Sequence, residues 1–258
     1  MLPELFSIGP FTFYSYGLLI GTGVTAAICL GERRAKQTGL GEDGFITSLG
    51  IVSVIGGFLG AKILFYITIL PEIIADISRL KELSDGFVVY GGLIGGILTA
   101  FVYCKVKKVD FWAAFDLAAP LIALAQCFGR VGCFMTGCCY GQETDGVFGV
   151  MFQNSFYAPH DVKLFPIQLV SSALNLVNFL VLSWLWKKSR EKDEKKGMVG
   201  VAYIITYSVG RFVIEFFRGD LERGAVGVLS TSQFISIFTV IIGIVMLVFL
   251  RRKKEVSE

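Results

Sequence analysis

Hydrophobic positions along the chain fall into seven stretches of about 20 residues, separated by polar segments. A helix rises about 1.5 Å per residue, so a stretch of that length crosses the hydrocarbon core of a bilayer. The stretches begin near Tyr16, Ile46, Phe87, Phe111, Pro166, Met198 and Thr231. The pattern predicts an all-α polytopic membrane protein with about seven transmembrane helices, forming a single integral membrane domain over residues 1–258.

The composition agrees with this pattern. Hydrophobic residues make up 54% of the chain and charged residues 17%, whereas a soluble domain of this size exposes far more polar surface. The first ten residues contain neither Lys nor Arg, so the basic start of a cleavable signal peptide is missing. We therefore expect the first hydrophobic stretch to remain in the mature protein.

Positive charge predicts the orientation in the membrane. Basic segments follow the first, third, fifth and seventh stretches and hold three, three, six and four Lys or Arg, which is sixteen of the 24 in the chain. Because cytoplasmic loops carry the excess of Lys and Arg, we expect the N-terminus outside and the C-terminus in the cytoplasm. The net charge of +3 then reflects topology, and we expect no nucleic-acid partner.

Two arginines, Arg130 and Arg211, are attached to apolar stretches near their predicted outer ends. A charge there costs about 2.5–3.5 kcal/mol unless it is paired or faces a wet cavity. Arg211, Glu215 and Arg218 are spaced i, i+4 and i+7, which predicts a shared helix face. Two guanidinium groups around one carboxylate leave a positive charge that suits a phosphate. A structural ion pair at the membrane boundary is the alternative interpretation.

Glycines recur four residues apart in the apolar stretches, as in Gly56 with Gly60 and Gly91 with Gly95. This spacing lets neighbouring membrane helices approach closely. Residues 132–165 form a long segment rich in turn residues, which predicts an outer loop that carries part of a functional site.

The stretch GRVGCFMTGCCYG, residues 129–141, concentrates four glycines and three cysteines around Arg130. Cys133 could form a disulfide with Cys138 or Cys139, or one thiolate could take part in chemistry beside Arg130. A metal site is the third interpretation, although three thiols fall short of the usual four ligands. The chain has one histidine and lacks GxxxxGK[ST], GxSxG and HExxH, which excludes multi-histidine metal centres and the hydrolase types with those motifs.

These residues carry a family resemblance. The segments YSYGLL, YGGLIGG, FDLAAP, GRVGCFMTGCCYG, FPIQL, GRFVIEFFRGD and SQFISI occur in this order along nearly the whole chain. In this set the sequence resembles the prolipoprotein diacylglyceryl transferases. The resemblance implies a bacterial cell-membrane enzyme whose active site faces the outer side.

The resemblance also implies a reaction. The enzyme would take phosphatidylglycerol from the membrane and transfer its diacylglyceryl group to the lipobox cysteine thiol of a prolipoprotein, forming a thioether and releasing glycerol phosphate. The expected partners are phosphatidylglycerol, the lipobox peptide and membrane lipids, with no cofactor and no metal ion. Arginines suit the growing charge of the phosphate leaving group, and the acceptor thiol, with a reference pKa near 8.5, requires activation.

Matching positions give the candidate site residues. The predicted catalytic residues are Arg130, Arg211, Tyr90, Glu215, Cys133 and Cys138. The predicted substrate-binding residues are Tyr16, Lys62, Asp116, Gly132, Gly141, Gln168 and Arg218.

Several of these positions depart from the family's pattern. Tyr90 stands where the family usually has histidine, Cys133 where it has asparagine, Cys138 where it has glutamate, and Lys62 where it has arginine. The retained arginines favour a bound phospholipid, whereas the changes affect proton transfer or the acceptor. Three hypotheses follow: a lipoprotein transferase with a divergent site, a related lipid transferase that uses Cys133 or Cys138 with another acceptor, and a lipid-binding or transport protein without catalysis.

Overall fold

The computed structural model describes residues 2–77, 86–191, 196–220 and 224–255, and this part of the chain is mainly helical. The helices are α1 (Ser15–Thr38), α2 (Phe45–Thr68), α3 (Leu70–Ala75), α4 (Val89–Val106), α5 (Phe111–Thr136), α6 (Ile167–Glu191), α7 (Met198–Glu215) and α8 (Thr231–Glu255). All except the short α3 are long and apolar enough to cross a membrane. The prediction of seven spans is confirmed, and each begins within two residues of its predicted start.

Short strands, absent from the helical prediction, occur between the helices. They are β1 (Glu4–Ile8), β2 (Phe11–Tyr14), β3 (Val150–Met151), β4 (Lys163–Leu164), β5 (Ala225–Val226) and β6 (Leu229–Ser230). Within the described ranges they pair as three antiparallel two-stranded sheets, β1 with β2, β3 with β4, and β5 with β6. The strands β3 to β6 have two residues each and are too short to show an alternating hydrophobic pattern.

The chain divides into two compact units, and each is described by itself. Unit 1 comprises Met1–Leu30 and Phe115–Glu258, and unit 2 comprises Gly31–Ala114. The expectation of one membrane domain over the whole chain stays a prediction.

In unit 2, glycines allow α2 and α4 to pack backbone against backbone. A Cβ atom built on Gly60 would collide with the carbonyl oxygen of Gly91 and lie 2.9 Å from the Cα of Gly95. A Cβ on Gly56 would likewise collide with the side chain of Thr99. The close helix approach predicted from the spacing of the glycines is therefore confirmed.

In unit 1, α6 packs on α7 and α7 packs on α8. Helix α5 contacts α6 through Cys127, whose sulfur lies 3.1 Å from the hydroxyl of Ser172. The segment of α1 within this unit packs against α5, since a Cβ on Gly23 would lie 2.6 Å from the Cβ of Phe128. Helix α5 therefore has neighbours on more than one side.

Helix α5 ends at Thr136 in a Schellman motif, so the loop begins five residues later than its predicted start at residue 132. The amide of Cys138 donates to the carbonyl of Cys133 at 3.1 Å, and the amide of Gly137 donates to that of Phe134 at 3.3 Å. Gly137 has φ 74°, the left-handed conformation that this cap requires. The long loop thus covers residues 137–166. We call the side of unit 1 that carries this loop and residues 216–220 and 224–230 the loop end.

Candidate active site

A cavity of about 250 Å³ in unit 1 is lined by residues of α5, α6 and α7. Arg130 of α5 and Arg211 of α7 both line it. Its apolar lining residues include Leu174, Val177, Val181 and Ile214, and its polar lining residues include Asn175 and Tyr207. The cavity joins guanidinium groups to an apolar wall, which is the combination that a phospholipid headgroup and its adjoining chains require.

Arg211 is held in a fixed position at this cavity. Its Nη1 lies 2.6 Å from Oε2 of Glu215, one turn further along α7, and its Nη2 donates to the hydroxyl of Ser232 at 2.9 Å. The Glu215 side chain is 5% exposed, so the pair is largely shielded from solvent. Arg130 and Arg218 both lie within electrostatic range of Arg211, and three guanidinium groups therefore gather at the loop end.

Arg218 is placed differently from the sequence prediction. Helix α7 ends at Glu215, so the prediction that Arg218 shares a helix face with Arg211 is wrong. Arg218 instead makes a two-pronged contact with Asp220, from Nε to Oδ1 at 3.0 Å and from Nη2 to Oδ2 at 2.8 Å. Burial raises the pKa of Asp220, although Arg218 acts in the opposite direction. The three guanidinium groups and the two carboxylates leave one positive charge.

The three cysteines of the GRVGCFMTGCCYG stretch form a cluster. The sulfur atoms of Cys133, Cys138 and Cys139 all lie within 4.8 Å of one another. The Schellman motif explains part of the clustering, because its hydrogen bond brings Cys138 close to Cys133. All six cysteines of the chain lie in its described part and are free thiols.

Electrostatics favour a thiolate in this cluster. Hydrogen bonds from the Cys133 and Cys138 thiols lower the pKa of Cys139, and the positive charge of Arg218 acts in the same direction. Cys139 also has φ 57°, which is rare for a residue with a side chain. The sequence predicts site roles for Cys133 and Cys138 but not for Cys139, whose adjacency to Cys138 is the available signal.

Tyr16, Gly132 and Gln168 lie around the cluster. A Cβ on Gly132 would lie 3.0 Å from the ring of Tyr16, so glycine allows this aromatic side chain to pack on α5. Tyr16 is within electrostatic range of the three thiols and Arg130. Gln168 is 1% exposed and donates through Nε2 to the carbonyl of Cys138 at 2.9 Å. These residues fix the surroundings of the thiols.

Gly141 lies at a junction of three backbone segments. Its amide donates to the carbonyl of Phe165 at 3.1 Å, the amide of Gln142 donates to Phe217 at 3.0 Å, and the amide of Gly219 donates to Tyr140 at 3.1 Å. A Cβ on Gly141 would collide with the Phe165 carbonyl. We call these hydrogen-bonded segments, residues 140–142, 165 and 217–219, the backbone junction.

Asp116 lies far from the arginines along α5. Fourteen residues separate it from Arg130, which corresponds to about 21 Å of helix. Its carboxylate accepts the amide of Gly197 at 2.6 Å and the amide of Gly200 at 2.7 Å, at the N-terminus of α7. The structure therefore places Asp116 in a helix-capping position, and its predicted substrate-binding role stays a prediction.

Lys62 and Tyr90 belong to unit 2. Lys62 points its ammonium group at three aromatic rings, with Nζ 5.0 Å from the ring centroid of Phe65, 4.8 Å from that of Tyr66 and 5.3 Å from that of Phe87. Tyr90 lies in the first turn of α4 and is 39% exposed. The predicted roles of both residues stay predictions.

Comparisons with known proteins identify the family. The chain matches the family model described as prolipoprotein diacylglyceryl transferase over residues 3–249. The chain belongs to this family. A phosphatidylglycerol–prolipoprotein diacylglyceryl transferase of Clostridium tetani is 46% identical over 244 residues, which cover 95% of this chain and 96% of the relative.

Two further relatives carry related names. The phosphatidylglycerol–prolipoprotein diacylglyceryl transferase 2 of Clostridium perfringens is 42% identical over 262 residues, covering 100% of this chain and 98% of the relative. The corresponding transferase of Bacillus cytotoxicus is 32% identical over 259 residues, covering 97% and 93%. The prolipoprotein diacylglyceryl transferase resemblance in the sequence is therefore confirmed, and the seven apolar helices are those of a multi-pass membrane protein.

Two polar residues that line the cavity were not among the predicted site residues. Tyr207 lines the cavity one turn before Arg211 and lies within electrostatic range of Arg130. Asn175 lines the same cavity and is 9% exposed. The available signals were the i, i+4 spacing of Tyr207 with Arg211 and an amide in the middle of an apolar stretch.

Proposed function

We propose that this chain transfers the diacylglyceryl group of phosphatidylglycerol to the lipobox cysteine thiol of a prolipoprotein, at the outer side of the bacterial cytoplasmic membrane. The observation that carries the proposal is the cavity that Arg130 and Arg211 line together. The names of the relatives support both substrates.

The chemistry follows from charge. The sulfur of the acceptor cysteine attacks the glyceryl carbon that bears the phosphate, a C–S bond forms, and the C–O bond to phosphate breaks. The electron pair leaves with glycerol phosphate, and the thiol proton passes to a base. Negative charge therefore grows on the phosphate oxygen in the transition state. Arg130 and Arg211 would stabilise that charge in a site of low dielectric constant.

Glu215 acts as a positioning residue in this proposal. Its carboxylate lies 2.6 Å from Arg211 Nη1, so it directs the guanidinium group and neutralises part of its charge before the lipid binds. Ser232 of α8 holds the other terminal nitrogen at 2.9 Å. An arginine fixed from two helices loses little conformational freedom when it contacts a phosphate.

The cavity supports lateral entry of the lipid. Apolar residues of α6 and α7 line it beside the arginines, so acyl chains can stay among apolar side chains while the phosphate contacts the guanidinium groups. A lipid that remains in the bilayer avoids the cost of moving its chains through water, about 0.8 kcal/mol per CH₂ group.

The test uses the purified full chain in vesicles that contain phosphatidylglycerol labelled in its acyl chains. A lipobox peptide and a matched peptide with serine in place of the acceptor cysteine are added separately. We expect a lipidated cysteine peptide and an equal amount of glycerol phosphate, and no product with the serine peptide.

Two outcomes would contradict the proposal. Phosphatidylglycerol consumed without lipidated peptide would indicate another acceptor. Lipid binding without any release of glycerol phosphate would indicate a lipid-binding or transport protein.

A further inference from the structure

We propose that Cys133, Cys138 and Cys139 bind a thiophilic divalent cation, for which Zn²⁺ is the best candidate, and that its open fourth position takes the acceptor thiol. The second part rests on the proposed function. It assigns to the cysteine cluster the activation of the thiol that is to be alkylated.

The positions of the sulfur atoms carry the first step. All three lie within 4.8 Å of one another. Three thiolates around a tetrahedral Zn²⁺ at a Zn–S distance of about 2.3 Å lie about 3.8 Å apart. The cluster therefore requires a contraction of at most about 1 Å, which rotation of the thiol groups about Cα–Cβ can supply.

The backbone keeps the three thiols together. The Schellman hydrogen bond from Cys138 to the carbonyl of Cys133 fixes the relation between those two residues. The buried side chain of Gln168 donates a hydrogen bond of 2.9 Å to the carbonyl of Cys138. A ligand set fixed by the fold in this way loses little entropy when the metal binds.

The number of ligands favours a site with one open position. Among the described residues, the cluster contains three cysteines and no histidine, aspartate or glutamate. Structural zinc sites have four protein ligands, whereas catalytic sites have three and leave the fourth position to water or substrate. Cys133 is 7% exposed and the other two thiols are half-buried, so the cluster is shielded but can be reached.

The charge of the surroundings suits such a complex. Three thiolates and one divalent cation carry a net charge of −1. Arg130 lies within electrostatic range of all three cysteines, and Arg218 interacts directly with Cys139. These arginines would compensate the negative charge in a partly buried site.

The bound cation would activate the acceptor thiol without a separate base. A thiol that coordinates Zn²⁺ gives up its proton to water at neutral pH. Its sulfur then forms the C–S bond with the glyceryl carbon while the C–O electron pair leaves with glycerol phosphate. The step consumes no oxidant or reductant.

The first experiment measures metal binding without any lipid transfer. Full-length protein is purified without reductant, its thiols are counted, and it is stripped with a chelator. Zn²⁺ or Cd²⁺ is then added, and bound metal and thiolate-to-Cd²⁺ absorption are measured. We expect about one ion per chain in the wild type and in the control Cys29→Ser, whose cysteine is exposed on α1.

The cysteine variants provide the comparison. Each of the single variants Cys133→Ser, Cys138→Ser and Cys139→Ser should bind the ion at least tenfold more weakly. Equal binding in the wild type and the three variants would overturn the inference. A disulfide within the cluster of the freshly isolated protein would overturn it too.

The second experiment tests the open position. Binding of the cysteine lipobox peptide to vesicle-embedded protein is compared with and without Zn²⁺, in the absence of phosphatidylglycerol. We expect at least tenfold tighter binding with Zn²⁺, and no such gain for the serine peptide. Equal gains, or none for either peptide, would overturn the inference.

The two experiments separate this inference from the proposed function. Lipid transfer at full rate by chelated protein would overturn the metal inference and leave the proposed function standing. Zn²⁺-dependent binding of the peptide without transfer would support the thiol site while contradicting the proposed diacylglyceryl transfer.

Discussion

Replacing Asp116 by alanine should destabilise the protein without altering phospholipid recognition. The Asp116 side chain is buried, and its two carboxylate oxygens accept the amides of Gly197 and Gly200 at 2.6 and 2.7 Å. Gly197 is the N-cap of α7 and offers no side chain of its own. A carboxylate supplied by α5 therefore caps α7 and also interacts favourably with its helix dipole.

The magnitude follows from these two contacts. A hydrogen bond to a charged group contributes about 1.5–3 kcal/mol, so losing both costs about 3 kcal/mol even at the lower limit. For a chain of this length that corresponds to a fall of about 6–12 °C in the unfolding midpoint. Asp116→Asn retains one acceptor and should cost about half as much.

The assay is thermal unfolding in detergent at a fixed scan rate, combined with the KM for phosphatidylglycerol in the peptide-lipidation assay. Asp110→Ala is the matched control, because the exposed Asp110 accepts a capping hydrogen bond of 2.9 Å from the amide of Ala113. Its loss should lower the free energy of unfolding by about 1 kcal/mol. An unchanged midpoint together with a raised KM for Asp116→Ala would refute the capping argument. It would favour the substrate-binding role that the family resemblance implies.

Three further predictions concern the arginines and glycines. Arg130→Lys and Arg211→Lys should each lower kcat for peptide lipidation by about 100-fold, because the planar guanidinium fork is lost. The control Arg33→Lys, at an exposed position, should change kcat less than twofold. Near-normal rates in Arg130→Lys and Arg211→Lys would contradict the phosphate role. Gly60→Ala should lower the free energy of unfolding by about 1–3 kcal/mol, because the added Cβ collides with backbone atoms of α4. The control Gly50→Ala adds its Cβ to open space and should be neutral. Equal effects of the two variants on unfolding would show that the helices can separate freely. Gly39→Ala has φ 64° and open space, so it isolates the backbone strain, which should lower the free energy of unfolding by about 1 kcal/mol. Gly137→Ala combines φ 74° with contacts to Ser155 and Phe152 and should lower it further. The unfolding midpoints of the two variants test this order.

The helices could be predicted because their signal is local. Each span is a continuous apolar stretch, and the spacing of Gly56, Gly60, Gly91 and Gly95 foretold the close approach of α2 and α4. The contact between Arg211 and Glu215 was also accessible, since i, i+4 neighbours meet on any regular helix.

The other contacts of the site could not be predicted, because they depend on where helices end and on partners far away in the sequence. Arg218 does not lie on the predicted helix face, because α7 ends at Glu215, and its side chain contacts Asp220 instead. The partners of Asp116 are 81 and 84 residues away along the chain. The meeting of Cys133 with Cys138 was accessible in principle, because a glycine just before Cys138 is the signature of a Schellman cap.

The backbone junction divides the long loop into two parts that should evolve differently. Residues 140–142 bond to residue 165 on one side and to residues 217–219 on the other, so an inserted residue would shift the register of two segments at once. Residues 150–151 pair with residues 163–164 and Phe152 is buried, so this part of the loop is fixed as well. Between residues 145 and 148 the chain is exposed, and added length there only enlarges a turn. Relatives should therefore differ in loop length between these positions and keep the length of the junction fixed. Grafted loops intended to alter peptide selectivity belong in the variable part.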